Sequence, residues 1–314
     1  MSIDSTTDGF SSRVPDCVAE SCFEYQGVIL SYITPKRALD AVRNSKVRPD
    51  DFYIVTYPKS GTTWAEQLCL LIKGDGDNSI MEGSHIRKLV PFIEICLDHR
   101  NPETSPLKMD EVEKMPSPRL LRTHCLPKFL PYDVSTDDPK AKVLYVARNP
   151  KDAAVSYYHF CNYVPPLPSY PSWDVFFEEF LAGRAPQGSW FENVLPWWRR
   201  RNHPNVLFLK YEDMKKDLPK AVKQIAEFMG KSFTDDVIQK IADASTFKAM
   251  KESSSSNPDI LIKGRIDEGN KSFMRKGIVG DWKNYFSDDQ NKRFDELYNK
   301  EMAGSGLEMD FGSP

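Results

Sequence analysis

The sequence predicts a single α/β domain with a central parallel sheet flanked by helices. Three observations lead there. Four short stretches, Phe52 to Tyr57, Arg119 to His124, Lys142 to Arg148 and Asn205 to Lys210, read as strands. Each is followed by a loop or a helical pattern, as expected for parallel strands joined by crossovers. Helix and strand signals continue through most of the 314 residues with no repeat or linker, and that length can bury one large core. The expected division is a flexible tail, residues 1–22, and one domain over 23–314.

In order, Phe23 to Leu30 has strand or edge character, and Pro35 to Ser45 is a short helix delivering the chain to the first sheet strand. That strand, Phe52 to Tyr57, ends at Pro58, which has no N–H to donate. A polar turn follows, Lys59-Ser-Gly-Thr-Thr63, whose glycine can take backbone angles closed to other residues. Trp64 to Ile72 resumes as a helix and stops at the breaker cluster Lys73 to Asn78. Val90 to Pro118 reads as a long, irregular surface loop. The strand Lys142 to Arg148 runs into a helix, Asn149 to Phe160, with Pro150 early, where its missing donor is harmless. After the proline-rich loop Pro165 to Pro171 come two amphipathic helices, Trp173 to Leu181 and Ser189 to Arg201, whose aromatics suit core packing. Beyond the fourth strand, one helix runs from Leu218 to Met229 and closes at Gly230, and the next begins with Thr234 as N-cap. Ser253 to Gly280 is a long loop of the kind that forms lids, and Asp288 to Met302 is a final charged helix.

A formal net charge of −3 argues against a general nucleic-acid binder, so an anion site must be a local concentration of cations. Met1 to Gly9 is polar and acidic, unlike a secretory signal, and no segment approaches a membrane span. Six cysteines without paired spacing fit a reducing, cytoplasmic setting, in which the sequon Asn270-Lys-Ser272 carries no meaning. Five scattered histidines and no Cys-x-x-Cys give no metal site.

The turn after the first strand has two readings on its residues alone. It is an anion loop, with backbone N–H groups of a helix start converging on phosphate or sulfate, or an ordinary strand-to-helix turn with a solvated lysine. The nucleotide triphosphatase pattern is absent, because the lysine precedes the only glycine. In open parallel sheets ligands bind beyond the carboxyl ends of the strands. Those ends carry Lys59 with its hydroxyls, Arg122 with His124, Arg148, and Tyr211. Cations from separate strands facing one crevice suit a ligand with two separated anionic groups.

Four segments in order, Tyr57-Pro-Lys-Ser-Gly-Thr-Thr-Trp64, Arg119-Leu-Leu-Arg-Thr-His124, Tyr145-Val-Ala-Arg-Asn-Pro-Lys-Asp152 and Phe273-Met-Arg-Lys-Gly277, resemble the motifs of the cytosolic sulfotransferases. The resemblance covers the chain from about Tyr25 to about Gly304. It implies a P-loop-like fold and the donor 3'-phosphoadenosine 5'-phosphosulfate, which leaves adenosine 3',5'-bisphosphate without help from a metal. The implied acceptor is a hydroxyl or amine of a small, phenolic or sterol-like molecule, with neither nucleic acid nor membrane as partner.

The same resemblance implies roles. Lys59 would stabilise charge on the bridging oxygen, Ser60, Gly61, Thr62 and Thr63 would hold the 5'-phosphate, and Trp64 would stack on adenine. Arg148 and Ser156 resemble the pair on the 3'-phosphate, joined by Arg275, Lys276 and Gly277 on the lid. Tyr211 matches an adenine contact, and Ser245, Thr246, Phe247 and Met250 belong to the segment closing over the base. His124 is the expected general base, near Arg122, and Phe92 and Phe160 match acceptor-pocket positions.

Two departures stand out. Arg122, expected among the catalytic residues near the sulfuryl group, replaces the lysine more common in the family and presents a planar fork for a point charge. The dimer motif Lys-x-x-x-Thr-Val-x-x-x-Glu reads here Lys283-Asn-Tyr-Phe-Ser-Asp-Asp-Gln-Asn-Lys292, with Asp288 for valine and Lys292 for the acid. Loss of both contacts predicts a monomer or a different interface. Against a sulfotransferase stand a P-loop kinase, disfavoured by the missing Gly-Lys-Ser/Thr, and an inactive nucleotide-binding module, disfavoured by Lys59, His124, Arg148 and Ser156 together.

Overall fold

Alternation within the central strands decides the layering. The computed structural model describes residues 15–164, 167–262 and 272–312. The parallel sheet contains β3 (Phe52–Thr56), β4 (Leu120–Thr123), β5 (Lys142–Ala147) and β6 (Val206–Lys210), in the spatial order β4-β3-β5-β6. Ile54 lies opposite Arg122 on one neighbour and Leu144 on the other. Val55 in β3 and Val143, Tyr145 and Ala147 in β5 enter one apolar layer, whereas Phe52, Ile54, Leu144 and Val146 enter another. A strand buried on both faces needs apolar residues at consecutive positions, which is how these runs read.

Before the sheet, β1 (Cys22–Tyr25) and β2 (Val28–Ser31) form an antiparallel hairpin closed by Gln26 (φ 51°) and Gly27 (φ 77°). Two consecutive left-handed residues match the twist of a tight hairpin. Helix α1 (Lys36–Arg43) leads to β3, and α2 (Thr62–Lys73) leaves it. The short helices α3 (Ile86–Leu89), α4 (Lys108–Val112) and α5 (Tyr132–Ser135) punctuate the way to β5. Then follow α6 (Pro150–Cys161), α7 (Trp173–Leu181) and α8 (Trp190–Arg199). After β6 come α9 (Tyr211–Lys216), α10 (Leu218–Phe228), α11 (Asp235–Ala244), α12 (Phe247–Glu252), α13 (Asp259–Ile262) and α14 (Asp288–Met302). Apolar faces of α6, α7, α8 and α14 cover one side of the sheet, and those of α2, α9, α10 and α11 the other.

The topology places the site. The chain leaves β3 for β4 on one side and returns to β5 on the other, so the helices after β3 and β5 diverge at their carboxyl ends. That divergence opens the crevice in which such sheets bind ligands. At the other end of the strands, Arg119 is buried against Asp51, Nε to Oδ1 2.7 Å.

Three expectations need adjusting. Residues 1–14 of the expected tail lie outside the described residues, but Val18 and Cys22 pack into the core and Asp16–Val18 forms a 3₁₀ turn. Val90 to Pro118 is not a surface loop, since Ile93, Glu94, Cys96, Met109 and Val112 are buried. Its prolines break regular structure, yet Phe92 bridges to Arg122 and Cys96 to Leu107. Thr234 stands at the start of α11 but its side chain makes no capping bond. No described helix is long and apolar enough to cross a membrane, and all six cysteines are free.

Candidate active site

Thr56, the last residue of β3, passes the chain to a turn in which Lys59 (φ 67°) and Gly61 (φ 105°) are left-handed. A bulky residue held at positive φ stores strain that the surroundings must over-determine. Here Ser60 N–H closes the turn on the Tyr57 carbonyl at 3.2 Å, and the Tyr57 hydroxyl is tied to the Gly188 carbonyl at 3.1 Å. A Cβ on Gly61 would stand 3.0 Å from the Tyr211 ring, so a side chain there would press on that ring. The N–H groups of the first turn of α2 have no intrahelical partners, and Gly61, Thr62, Thr63 and Trp64 line a cavity of about 310 Å³.

Lys59 projects into this cavity between two rings, its Nζ 4.2 Å from the centre of Phe160 and 3.7 Å from that of Phe273. Burial, helped by Arg87 and Arg148, brings its pKa down to about 7. The charge is poised to be strengthened by an arriving anion.

His124 follows β4 directly. Its Nδ1 lies 2.8 Å from the Thr56 carbonyl and 3.1 Å from Thr56 Oγ1, whose hydroxyl is 2.7 Å from that of Thr62. Donation from Nδ1 to the carbonyl leaves Nε2 unprotonated, the state a general base needs. Burial lowers the histidine to about 3; the Thr56 bond works against this, while Arg122, Lys59 and Arg87 add to it. The backbone is held on both sides: His124 N–H donates to Glu94 Oε1 at 2.6 Å, and its carbonyl accepts from Asn193 Nδ2 at 3.0 Å. Phe92 packs edge-on to the imidazole at 4.9 Å.

One end of the cavity is cationic and aromatic. Arg148 stacks over Tyr211, its guanidinium carbon 4.7 Å from the ring centre, and donates to the Ile278 carbonyl at 2.9 Å. Its Nε is buried without a partner among the described residues. The Arg148 carbonyl accepts from Trp190 Nε1 at 3.1 Å. Trp64 meets Tyr211 edge-to-face at 5.3 Å and donates to the Ser245 carbonyl at 2.8 Å. Ser156, Phe247, Met250 and Ser245 line the same end. Arg275 and Lys276 line it too, each 2.6 Å from Asp281. Burial would raise the Asp281 pKa, but Lys276 and Arg275 more than offset that and hold it below the usual range. A Cβ on Gly277 (φ 65°) would run into the Phe247 ring, so a side chain there would have to displace that ring.

The other end is more apolar, with Ile33, Phe92, Ile95, Phe160, Val164 and Leu167 on its walls. Arg122 lines the cavity beside Phe92 and donates from Nη1 to Glu66 Oε1 at 2.7 Å.

All residues expected at the site except two line this cavity. Ser60 is fully buried in the turn, and Thr246 caps α12 by accepting from Ala249 N–H at 3.3 Å. The sequence reading missed Thr56, Glu94 and Asn193 behind His124, and Asp152, whose carboxylate accepts from Gly280 and Trp282 N–H at 2.7 and 3.0 Å; residues 263–271 of the expected lid loop lie outside the described residues. It also missed Arg87, which lines the cavity from α3. Asp152 lay inside a quoted motif; nothing in the local pattern marked the others.

A strand-to-helix turn at a sheet switch point, cations from several elements and a buried histidine share one cavity. A family model described as "Sulfotransferase domain" matches residues 49–306, and the chain belongs to that family and is a sulfotransferase. Rat sulfotransferase 1C2 is 42% identical over 85% of this chain and 88% of its own. Human sulfotransferase 1C2 is 39% identical over 90% and 93%. Mouse sulfotransferase SULT7A1 complexed with PAP superposes with a TM-score of 0.73 at 34% identity, covering 90% of this chain and 95% of that one. Retinol dehydratase in complex with androsterone and inactive cofactor PAP gives 0.81 at 26%, covering 91% and 90%.

Proposed function

We propose that the protein transfers a sulfuryl group from 3'-phosphoadenosine 5'-phosphosulfate to a hydroxyl or amine of a small phenolic or sterol-like acceptor in the cytoplasm, with His124 as general base. The observation that carries this is the Thr56–His124 bond of 2.8 Å beside the Lys59 turn, which joins a proton acceptor to an anion cradle in one cavity. The residues fit the donor: Arg148 has a buried, unpartnered Nε, and Trp64 and Tyr211 offer ring surface next to it.

The donor supplies an activated sulfuryl group whose leaving group is already a phosphate. First-turn N–H groups of α2 and the hydroxyls of Thr62 and Thr63 would hold the 5'-phosphate, and Arg148, Ser156, Arg275 and Lys276 the 3'-phosphate. His124 Nε2 takes the acceptor proton as the new oxygen–sulfur bond forms. The bond from sulfur to the bridging oxygen breaks in line, and Lys59 stabilises the charge left on that oxygen. Glu94 and Asn193 keep the imidazole aimed.

Incubation with sulfur-labelled donor, a chelator and a panel of phenols, sterols and amines tests the reading. Labelled acceptor is expected. Thermal stabilisation by adenosine 3',5'-bisphosphate without transfer would instead indicate a binding module, and metal-dependent use of ATP a kinase.

A further inference from the structure

Two arginines in the cavity lie apart from the cations assigned to the donor's 3'-phosphate. Arg122 gives Nη1 to Glu66 at 2.7 Å, and its Nε is buried without a partner among the described residues. Arg87 makes no side-chain hydrogen bond among the described residues, and its Nε is also buried. Its guanidinium carbon lies 4.6 Å from the centre of the Phe273 ring, the ring that also carries Lys59. The backbone beneath it is fixed: Arg87 N–H donates to His85 Nδ1 at 3.1 Å, and Ile86 N–H to the Ser255 carbonyl at 2.9 Å.

Glu66 and Asp259 lie near enough to favour the Arg87 charge, and Glu66 Oε2 is buried without a partner among the described residues, but neither carboxylate bonds the Arg87 guanidinium. Glu66 Oε1 accepts from Arg122, and Asp259 accepts from Phe273 N–H at 2.7 Å, the Tyr163 hydroxyl at 2.9 Å and Ser272. A guanidinium with a buried, unpaired donor on a cavity wall is costly unless a ligand completes it. Arg148, Arg275 and Lys276 cluster around Tyr211, Ile278 and Asp281. Arg122 instead faces Phe92 at 5.2 Å, and Phe92 touches His124, where the acceptor's hydroxyl would stand. A planar fork of N–H donors matches a planar carboxylate.

We propose that the acceptor is an acid: besides the hydroxyl or amine presented to His124, it carries a carboxylate received by Arg87, with Arg122 behind it. This rests on the sulfotransferase reading above. It narrows the substrate class to hydroxy or amino acids with an aromatic or apolar body.

The test uses (4-hydroxyphenyl)alkanoic acids of increasing chain length and their primary amides. For the best-fitting length, kcat/KM for the acid should exceed that for the amide by about tenfold or more. In R87M that ratio should collapse toward one, and R87K should retain part of it. A wild-type ratio at or below one for every length overturns the proposal. So does an unchanged ratio in R87M, or a rise in donor KM in R87M without loss of the ratio, which would assign Arg87 to the donor. Calorimetric binding of the same pairs to the complex with adenosine 3',5'-bisphosphate separates the two readings. Acid-selective binding that depends on Arg87 supports the subsite even where no sulfuryl transfer occurs; equal binding of acid and amide refutes it whether or not transfer occurs.

Discussion

Lys59 shows how much one side chain can be tuned with no hydrogen-bond partner for its ammonium among the described residues. Two rings hold its ammonium while burial and two arginines oppose its charge, leaving it near 7. An anionic ligand favours the protonated form, so the pKa is higher in the complex than in the free protein. Binding should then take up a proton between those two values, and affinity should fall as pH rises above about 7, by up to about tenfold per unit. Titration of adenosine 3',5'-bisphosphate at pH 8 in buffers of different ionisation enthalpy should report uptake approaching about one proton. The uptake should vanish in Lys59→Met; constant affinity from pH 7 to 9 with no uptake would contradict the assignment. Lys59, His124 and Arg148 were legible in the sequence because each ends or follows a strand. Glu94, Asn193 and Arg87 were not, because each acts on a residue distant in the chain and sits in an unremarkable local pattern.

Among the elements, β3, β5 and β6 were readable from consecutive β-branched and aromatic residues, and α14 from its charge pattern. The stretch from Val90 to Pro118 misled because prolines and charges mimic a loop, whereas tertiary pairing to β4 and α1 buries it. The segment altered relative to the family's dimer motif is organised within the chain. Ser287 and Gln290 form a capping box at the start of α14, Gln290 N to Ser287 Oγ 3.2 Å and Ser287 N to Gln290 Oε1 3.1 Å. Asp288 and Asp289 in its first turn complement the helix dipole and face solvent with Lys292. Light scattering should give a monomer, or a dimer from which this segment stays exposed to hydrogen exchange. A dimer that protects residues 283–292 would refute the expectation drawn from Asp288 and Lys292.

At the scale of the whole molecule, strand order matters most. Because β4 and β5, both later in the chain, flank β3 on opposite sides, the ends of β3, β4 and β5 bring Lys59, His124 and Arg148 to one crevice. That convergence could be anticipated from four strand signals and the rule for open sheets. The order of the strands, and hence which residues stand side by side, could not, since strand signals say nothing of lateral neighbours. The central claim is that the crevice moves a proton to His124 while the rest of it holds the nucleotide. Its most direct test compares wild type and His124→Ala for sulfuryl transfer and for adenosine 3',5'-bisphosphate binding. Turnover should fall by about 10²-fold to 10⁴-fold or beyond with binding nearly unchanged. Substantial turnover in the variant, or loss of binding in parallel with activity, would contradict it.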